Sequence, residues 1–569
     1  MLSDLSLLSI TKKHKRAVVI LFITLAVFIV LVDRVAWASV ASWREDQAAN
    51  IWLGYTRAPW QIPVGLISSR HLPNPNGLVL ASTLLSRLPN LWVIGTVLGL
   101  IQASLLAWVS WLTTRDLKLV LIVGGPLLSS IALRGTSVDL WGQSALVPVN
   151  CLFIAGLLIY IRRSTLWALP IVVAASLLAP SIYLSGVVNA IVFVLLTILV
   201  GFFRPPRFKR RTWIAPLLTS AAIVALSLWL TWVPYFHNIG VSEIFQATDR
   251  WSRSATERLL AAAGSVIRFP ALSFDQFASQ SLFVGGQVDP QLVSPAVWSG
   301  YLLLLRHSWL QGVICYASIL VGCVSLAMGH LSLADLVAPA NRLSALAIVL
   351  MILVVLGCYV VAPLIGGPAW GEGERLDQVT QFLPFALILW FFGPLLLEHP
   401  RWIQPSLRRL TWISATIYMT VSLAVGLLAI ADNLRYRGPE LTNADVPLVD
   451  KLRLVDYAAR DWKAHSMSPE IPIDYDLGGG RWEWITGFGA TYLNWYPAPY
   501  TIGRAFDYEL LRSHGLWNAQ EGVQQRTFGT SRYLVTYAFK LAPLLDGTLR
   551  RDLEFGRLRL TIRDDLPLP

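Results

Sequence analysis

The sequence predicts an all-α polytopic membrane protein with about 11 transmembrane helices and a small mixed α/β domain at its C-terminal end. Three observations carry this expectation. Of the 569 residues, 55% are apolar and only 14% charged, whereas soluble domains carry roughly 25% charged residues. The apolar residues gather into runs close to the roughly 20 that a helix needs to cross a bilayer. After residue 430 those runs stop, and a polar sequence with Gly and aromatic clusters follows. The 24 Trp and 17 Tyr suit a chain with many interfacial anchors.

Taken in order, the candidate spans are 17–37, 91–111, 119–133, 143–161, 167–184, 186–203, 213–233, 308–329, 343–363, 380–397 and 410–430. The first follows "KKHKR". Its apolar part is longer than that of a signal peptide and no small-residue cleavage site follows closely, so it reads as a retained span. The basic segments "KKHKR", "TRDLK", Arg162-Arg163, "RPPRFKRR" and "RWIQPSLRR" alternate with less basic ones. The positive-inside rule puts this set, and the N-terminus, in the cytoplasm. The other side of the cell (inner) membrane then holds residues 38–90, "RGTSVDLWG", 234–306, 364–379 and the tail 431–569. The net charge of +12 is thereby explained by topology, with no nucleic acid partner. Cys151, Cys315, Cys323 and Cys358 all lie in apolar segments and read as small buried hydrophobes, with no disulfide framework or zinc site.

The chain divides into a membrane domain, 1–430, and an extracytoplasmic α/β domain, 431–569. In the tail, Leu448, Leu452, Val455 and Ala459 fall on one face of a helix. "YLVTYAF" and "GRLRLTIRD" read as strands.

The residues able to do chemistry cluster on the outer side. "WREDQAA" places Glu45 and Asp46 just past the first span. They are either a solvated helix end or a reactive centre. The segment after them reads as a short interfacial helix with Ile51, Trp52 and Tyr55 facing the membrane. About fifty residues in loop 38–90 exceed what a linker needs, since loops longer than roughly 15 residues usually have a job or are disordered. Its second half carries Arg70 and His71 beside "LPNPNG", followed by an apolar stretch, 78–88, too short to span, whose start Pro75 would pin. Arg70 is either an interface arginine or a fork of donors for a phosphate. Arg134 and Asp139 sit in a tight outer loop, where Asp139 is either a helix cap or a cavity residue. Gly366, Gly367, Gly371 and Gly373 surround Glu372, Glu374, Arg375 and Asp377, the pattern of either a ligand loop or a solvated turn. His237 reads as an interface residue.

This layout resembles the C-type (GT-C) membrane glycosyltransferases, the class that includes protein O-mannosyltransferases and the aminoarabinose transferase of lipid A. Glu45-Asp46 is similar to the paired acids that open the family's first outer loop. "RHLPNPNGL" resembles its Pro-containing element, with Asn74 and Asn76 where His-Pro-Pro is expected. "RGTSVDLWG" resembles its short acid-bearing loop, and "ERLDQVTQFLPFALIL" its late basic element. The resemblance implies a sugar donor linked to polyprenyl phosphate, a lipid, glycan or protein acceptor, and contact with membrane lipids. It implies that Asp46, with Glu45 second, removes the acceptor's proton during a single inverting displacement. Arg70 and Arg375, with His71 and Glu374 beside them, would hold the donor. Asp139 and Glu374 would position the acceptor or a divalent metal ion. The competing expectations are a transporter, which favours broken helices and ionisable groups deep in the bundle, and a non-catalytic assembly protein for surface polysaccharide.

Overall fold

The computed structural model describes residues 12–238 except 42, 44, 66–73, 139, 164 and 204–212. It also describes 254–267 in part, 294–328, 350, 353–354, 382–396, 404–435, 446–476, 504–517, 531–538 and 550–564. Among these residues the membrane part is entirely helical. Helices α1 (Lys12–Val40), α2 (Glu45–Thr56), α3 (Gly77–Leu85) and α4 (Leu91–Thr114) come first. Then follow α5 (Leu117–Ser129), α6 (Ile131–Ser137), α7 (Gly142–Arg163), α8 (Ala168–Ile182) and α9 (Val187–Phe203). After them come α10 (Ile214–Ser227), α11 (Val233–Asn238), α12 (Pro295–Ala327), α13 (Leu383–Leu396) and α14 (Gln404–Arg435).

The expectation of about 11 spans is corrected. Six described helices are long and apolar enough to cross a membrane, or seven if α5 and α6, bent by 57° at Ser130, form one broken span. The reason is length. Helices α8, α9 and α13 have 15, 17 and 14 residues. At about 1.5 Å per residue they fall short of a hydrocarbon core of about 30 Å. The run 167–184 ends where Tyr183 adopts an extended backbone and closes α8, and the run 186–203 forms the separate helix α9. The expected span 343–363 lies almost wholly outside the described residues.

Polar side chains join the spans. Asn189 donates to Asn150 Oδ1 at 2.8 Å between α9 and α7. Gln311 on α12 donates to Ser414 on α14, whose hydroxyl is also 2.9 Å from His307 Nε2. Buried interhelical bonds of this kind are worth about 0.6–2 kcal/mol each in a membrane. Helix α10 passes into α11 through a π turn at Leu228–Trp232, which releases a carbonyl from the regular ladder. Asn76 takes it: its Nδ2 donates to Leu230 O at 3.0 Å and to Ile62 O at 2.7 Å. Cys151 and Cys315 are buried, as expected, but Cys323 is exposed on α12.

The C-terminal domain combines α15 (Leu448–His465) and α16 (Arg504–His514) with strands β1 (Ile473–Asp476), β2 (Tyr533–Tyr537), β3 (Arg550–Phe555) and β4 (Leu558–Arg563). The sheet order is β1-β2-β4-β3, with β1 parallel to β2 and the other pairs antiparallel. A parallel neighbour needs a crossover, and α16 lies in it. Helix α15 turns Leu454, Val455, Ala458, Ala459 and Trp462 onto Ile473, Tyr533, Val535, Leu560 and Ile562. Each fully buried large apolar side chain contributes about 1.5–3 kcal/mol. Asp450 in the first turn of α15 and Lys463 and His465 in its last complement the helix dipole.

Candidate functional site

The candidate site is where α1 ends, α2 begins and the C-terminal domain sits on both. Helix α1 is lipid-like in its first half and buried in its second. Ile20 to Val32 include many exposed apolar side chains, whereas Arg34, Trp37, Ala38 and Val40 are buried. The chain then turns through Trp43, which has φ of 43°. A tryptophan in the left-handed region is uncommon and needs its neighbours to hold it there. Its indole ring is 2% exposed, and Lys451 Nζ of α15 donates to its carbonyl at 3.1 Å. Glu45 and Asp46 follow as the first two residues of α2.

The sequence reading aimed α2 the wrong way. Ile51 and Trp52, expected to face the membrane, are 0% and 7% exposed. Ala49 and Leu53 pack on Ile62 and on Val79 of α3. Trp52 stands 5.4 Å from Trp517, and Tyr55 meets Tyr508 edge to face at 5.9 Å. An amphipathic pattern gives the apolar face but not what covers it. Here a protein domain covers it. In the second half of the loop, Asn74 O accepts Gly65 N at 2.6 Å and Asn74 Oδ1 accepts Leu184 N at 3.1 Å. The asparagines of "LPNPNG" are therefore fasteners of the loop onto the bundle.

Helix α4 begins at the same junction. Its first N–H, Leu91 N, donates to Glu509 Oε1 of α16 at 2.5 Å, and Asn90 accepts Val93 N at 2.8 Å. Ser513 Oγ donates to the other oxygen of Glu509 at 2.9 Å. Burial pushes the Glu509 carboxyl up to about 7, against the opposing pull of the Leu91 N–H, Ser513 and Arg512. Tyr508 donates to Ser86 O at 3.1 Å. Arg512 donates to Arg87 O and Leu88 O at 3.0 and 3.2 Å and lies over the Tyr55 ring.

In the second half of α1, inside the bundle, lies an ion cluster that hydropathy averaging hides. Asp33 on α1 pairs with its neighbour Arg34 and, at 2.6 Å, with Arg134 on α6. Both arginines are buried, at 1% and 0% exposure, while the Asp33 side chain keeps 12%. Arg34 reaches Leu128 O at 3.3 Å, in the last turn of α5, where carbonyls lack helical partners. Arg134 reaches Ser422 O of α14 at 2.7 Å and stacks over Trp37 at 5.3 Å. Two cations thus share one carboxylate, and helix carbonyls and a ring face complete their solvation. Arg134 was expected in a tight loop; it instead forms the last turn of a buried helix capped by Ser130. The "RGTS" sequence reads as a turn from composition alone.

Gly426 on α14 makes room for Arg134: a Cβ at 426 would lie 2.0 Å from Arg134 Nη2. Gly426→Ala is expected to displace the guanidinium and lower stability by about 1–3 kcal/mol, the usual cost of overpacking, measured as the unfolding midpoint in detergent.

Of the residues the sequence singled out, the backbones of Glu45 and Asp46 are described and open α2. Arg70, His71, Asp139, Glu374 and Arg375 lie outside the described residues. Among the described residues, no three His, Cys, Asp or Glu side chains converge in a group able to hold a metal ion. The sequence reading missed Asp33, Arg34 and Glu509. The signal for the first two was present, as the only charged pair inside the first apolar run, "VLVDRVAW". For Glu509 no local signal exists, because its partner is 418 positions away. The chain matches no protein-family model, no curated protein and no solved structure.

Proposed function

We propose that the chain is an integral membrane glycosyltransferase that moves a sugar from a polyprenyl-phosphate carrier to an acceptor hydroxyl on the extracytoplasmic face. The observation that carries the reading is the setting of α2. The helix that opens with Glu45-Asp46 starts within a few residues of the end of α1, a span-length apolar helix, and packs against the C-terminal domain. A lipid-linked donor reaches such a site laterally through the bilayer, and its leaving group is an anion close to the interface. Asp46 takes the acceptor proton as the hydroxyl oxygen attacks C1 of the sugar. The C1–O bond to the phosphate breaks, and the phosphate leaves with the electron pair. Attack opposite the phosphate inverts the anomeric centre, with no covalent enzyme intermediate. Arg70 and Arg375 are proposed to hold the phosphate, with His71 and Glu374 beside them. Asp139 is proposed to position the acceptor. A divalent metal ion, if bound there, would supply further charge balance for the phosphate.

The test uses the full chain in nanodiscs with a panel of polyprenyl-phosphate sugars and a radiolabelled readout of transfer. Asp46→Asn is expected to abolish transfer, a loss of at least about 10²-fold as for a general base, without changing the unfolding midpoint. Full transfer by that variant removes Asp46 from the role.

A second reading, transport, is favoured by one observation. The 57° break between α5 and α6 and the ion pair of Asp33 with Arg134 lie inside the bundle, where transporters place their sites. Flux in proteoliposomes that is lost in Asp33→Asn and kept in Asp46→Asn would select it.

A further inference from the structure

We propose that the C-terminal domain is a two-point clamp that sets the pose of α2, with Lys451 and Arg512 as its positioning residues. The loop 38–90 begins at the end of α1 and finishes at the start of α4, and the domain holds both ends. At the first end, Leu448 N donates to Ala41 O at 3.0 Å and Lys451 Nζ to Trp43 O at 3.1 Å. At the second, Tyr508 and Arg512 donate to the carbonyls of Ser86, Arg87 and Leu88, and Glu509 accepts from Leu91 N. Between them the aromatic pairs Trp52–Trp517 and Tyr55–Tyr508 fix the body of α2.

Almost every polar contact in these two grips is made to main-chain atoms of the loop. Main-chain contacts hold position and are indifferent to side-chain identity, which is what a positioning device requires. The first grip also holds a strained residue. Trp43 keeps φ of 43° with its carbonyl on a lysine that is itself 3% exposed. Release of Lys451 lets Trp43 relax toward the ordinary region, and a backbone rotation there re-aims the helix that starts two residues later. The domain therefore governs the direction in which Glu45 and Asp46 leave the membrane face. That this direction matters for transfer rests on the function proposed above; the clamp itself does not.

The test is a distance measurement in the full chain in nanodiscs. Spin labels go on Trp60→Cys and Met467→Cys, both strongly exposed, one in loop 38–90 and one in the C-terminal domain. The background has the four native cysteines replaced by Ala. The parent is expected to give one narrow distance. Lys451→Met, and separately Tyr508→Phe with Arg512→Gln, are each expected to make the distribution roughly twice as broad by populating an undocked state. Lys451→Arg, which keeps a donor, should restore the narrow peak. A second label pair within the domain, Met467 with Glu554, reports its integrity. The Tyr508/Arg512 variant alters side chains that face the loop, so it leaves that pair unchanged. An unaltered Trp60–Met467 distribution in both variants overturns the clamp. Transfer activity is read in parallel. Absent transfer in a parent with intact distances counts against the transferase and leaves the clamp standing.

Discussion

Asp33→Asn is expected to lower the stability of the membrane domain by about 3–5 kcal/mol, the cost of breaking a buried ion pair by removing one partner. Asparagine matches the shape and keeps a hydrogen-bond acceptor, so the change isolates charge. It leaves Arg34 and Arg134, both buried, without the carboxylate they share. Arginine carries its charge at physiological pH. The cluster ties α1 to α6 and, through Ser422 O, α6 to α14, so its loss loosens three elements together. The measurement is the thermal unfolding midpoint of the purified protein in detergent. Arg134→Met added to Asp33→Asn should recover part of the loss, because an apolar side chain of similar length removes one unpaired charge. A midpoint unchanged by Asp33→Asn would show that the helix carbonyls alone solvate the arginines.

The second large effect is pH dependence at the domain junction. The carboxyl of Glu509 is raised by burial from 4.5 to about 7 when the domain is docked. The docked state therefore binds more protons than the undocked one between these values. Docking is strongest below about pH 4.5 and weakens as pH rises through about 7, because the carboxylate must then be buried as an anion. A shift of about 2.5 pH units corresponds to about 3 kcal/mol across the window. Four groups bear on this titration. Burial acts with Asp456 of α15 to raise it, while Arg512, Ser513 and the Leu91 N–H lower it. Glu509→Gln keeps an acceptor for Leu91 N but does not titrate, so the difference in docking stability between parent and variant should vanish at low pH and favour the variant above pH 7. Equal pH profiles for the two would place the titration elsewhere.

The parts of this fold that the sequence disclosed are those set by local pattern. Helix α15, with Leu448, Val455 and Ala459 buried and Leu452 partly so, and strands β2 and β4 stand where the local sequence puts them. The long spans α1, α4, α7, α12 and α14 follow from hydropathy. What hydropathy cannot see is a break within an apolar run, so Ser130 divides a helix that composition joins. Nor can a window of 20 residues register Asp33 and Arg34, whose cost is diluted by their neighbours. The burial of Ile51 and Trp52 was illegible for a different reason. One partner of Trp52, Trp517, lies more than 400 positions away in a domain whose docking no local rule encodes. Candidate residues were thus found by charge and position, while their supporting contacts belong to tertiary structure.

The long separation between the two halves of the junction has a consequence for the making of the protein. The N-terminus of α4 is capped by Glu509, and that carboxylate is translated 418 residues after Leu91. At about 5–20 residues per second, the ribosome needs roughly 20–80 s to supply it. The early spans are in the bilayer long before the cap, Lys451 or Trp517 exist. Loop 38–90, nearly the first part of the chain to emerge, is one of the last to reach its final form. A nascent chain halted between α14 and α16 therefore carries all the described membrane helices and a loop 38–90 whose second end is still ungripped, so the order of synthesis itself defers the closing of the junction until the chain is almost complete.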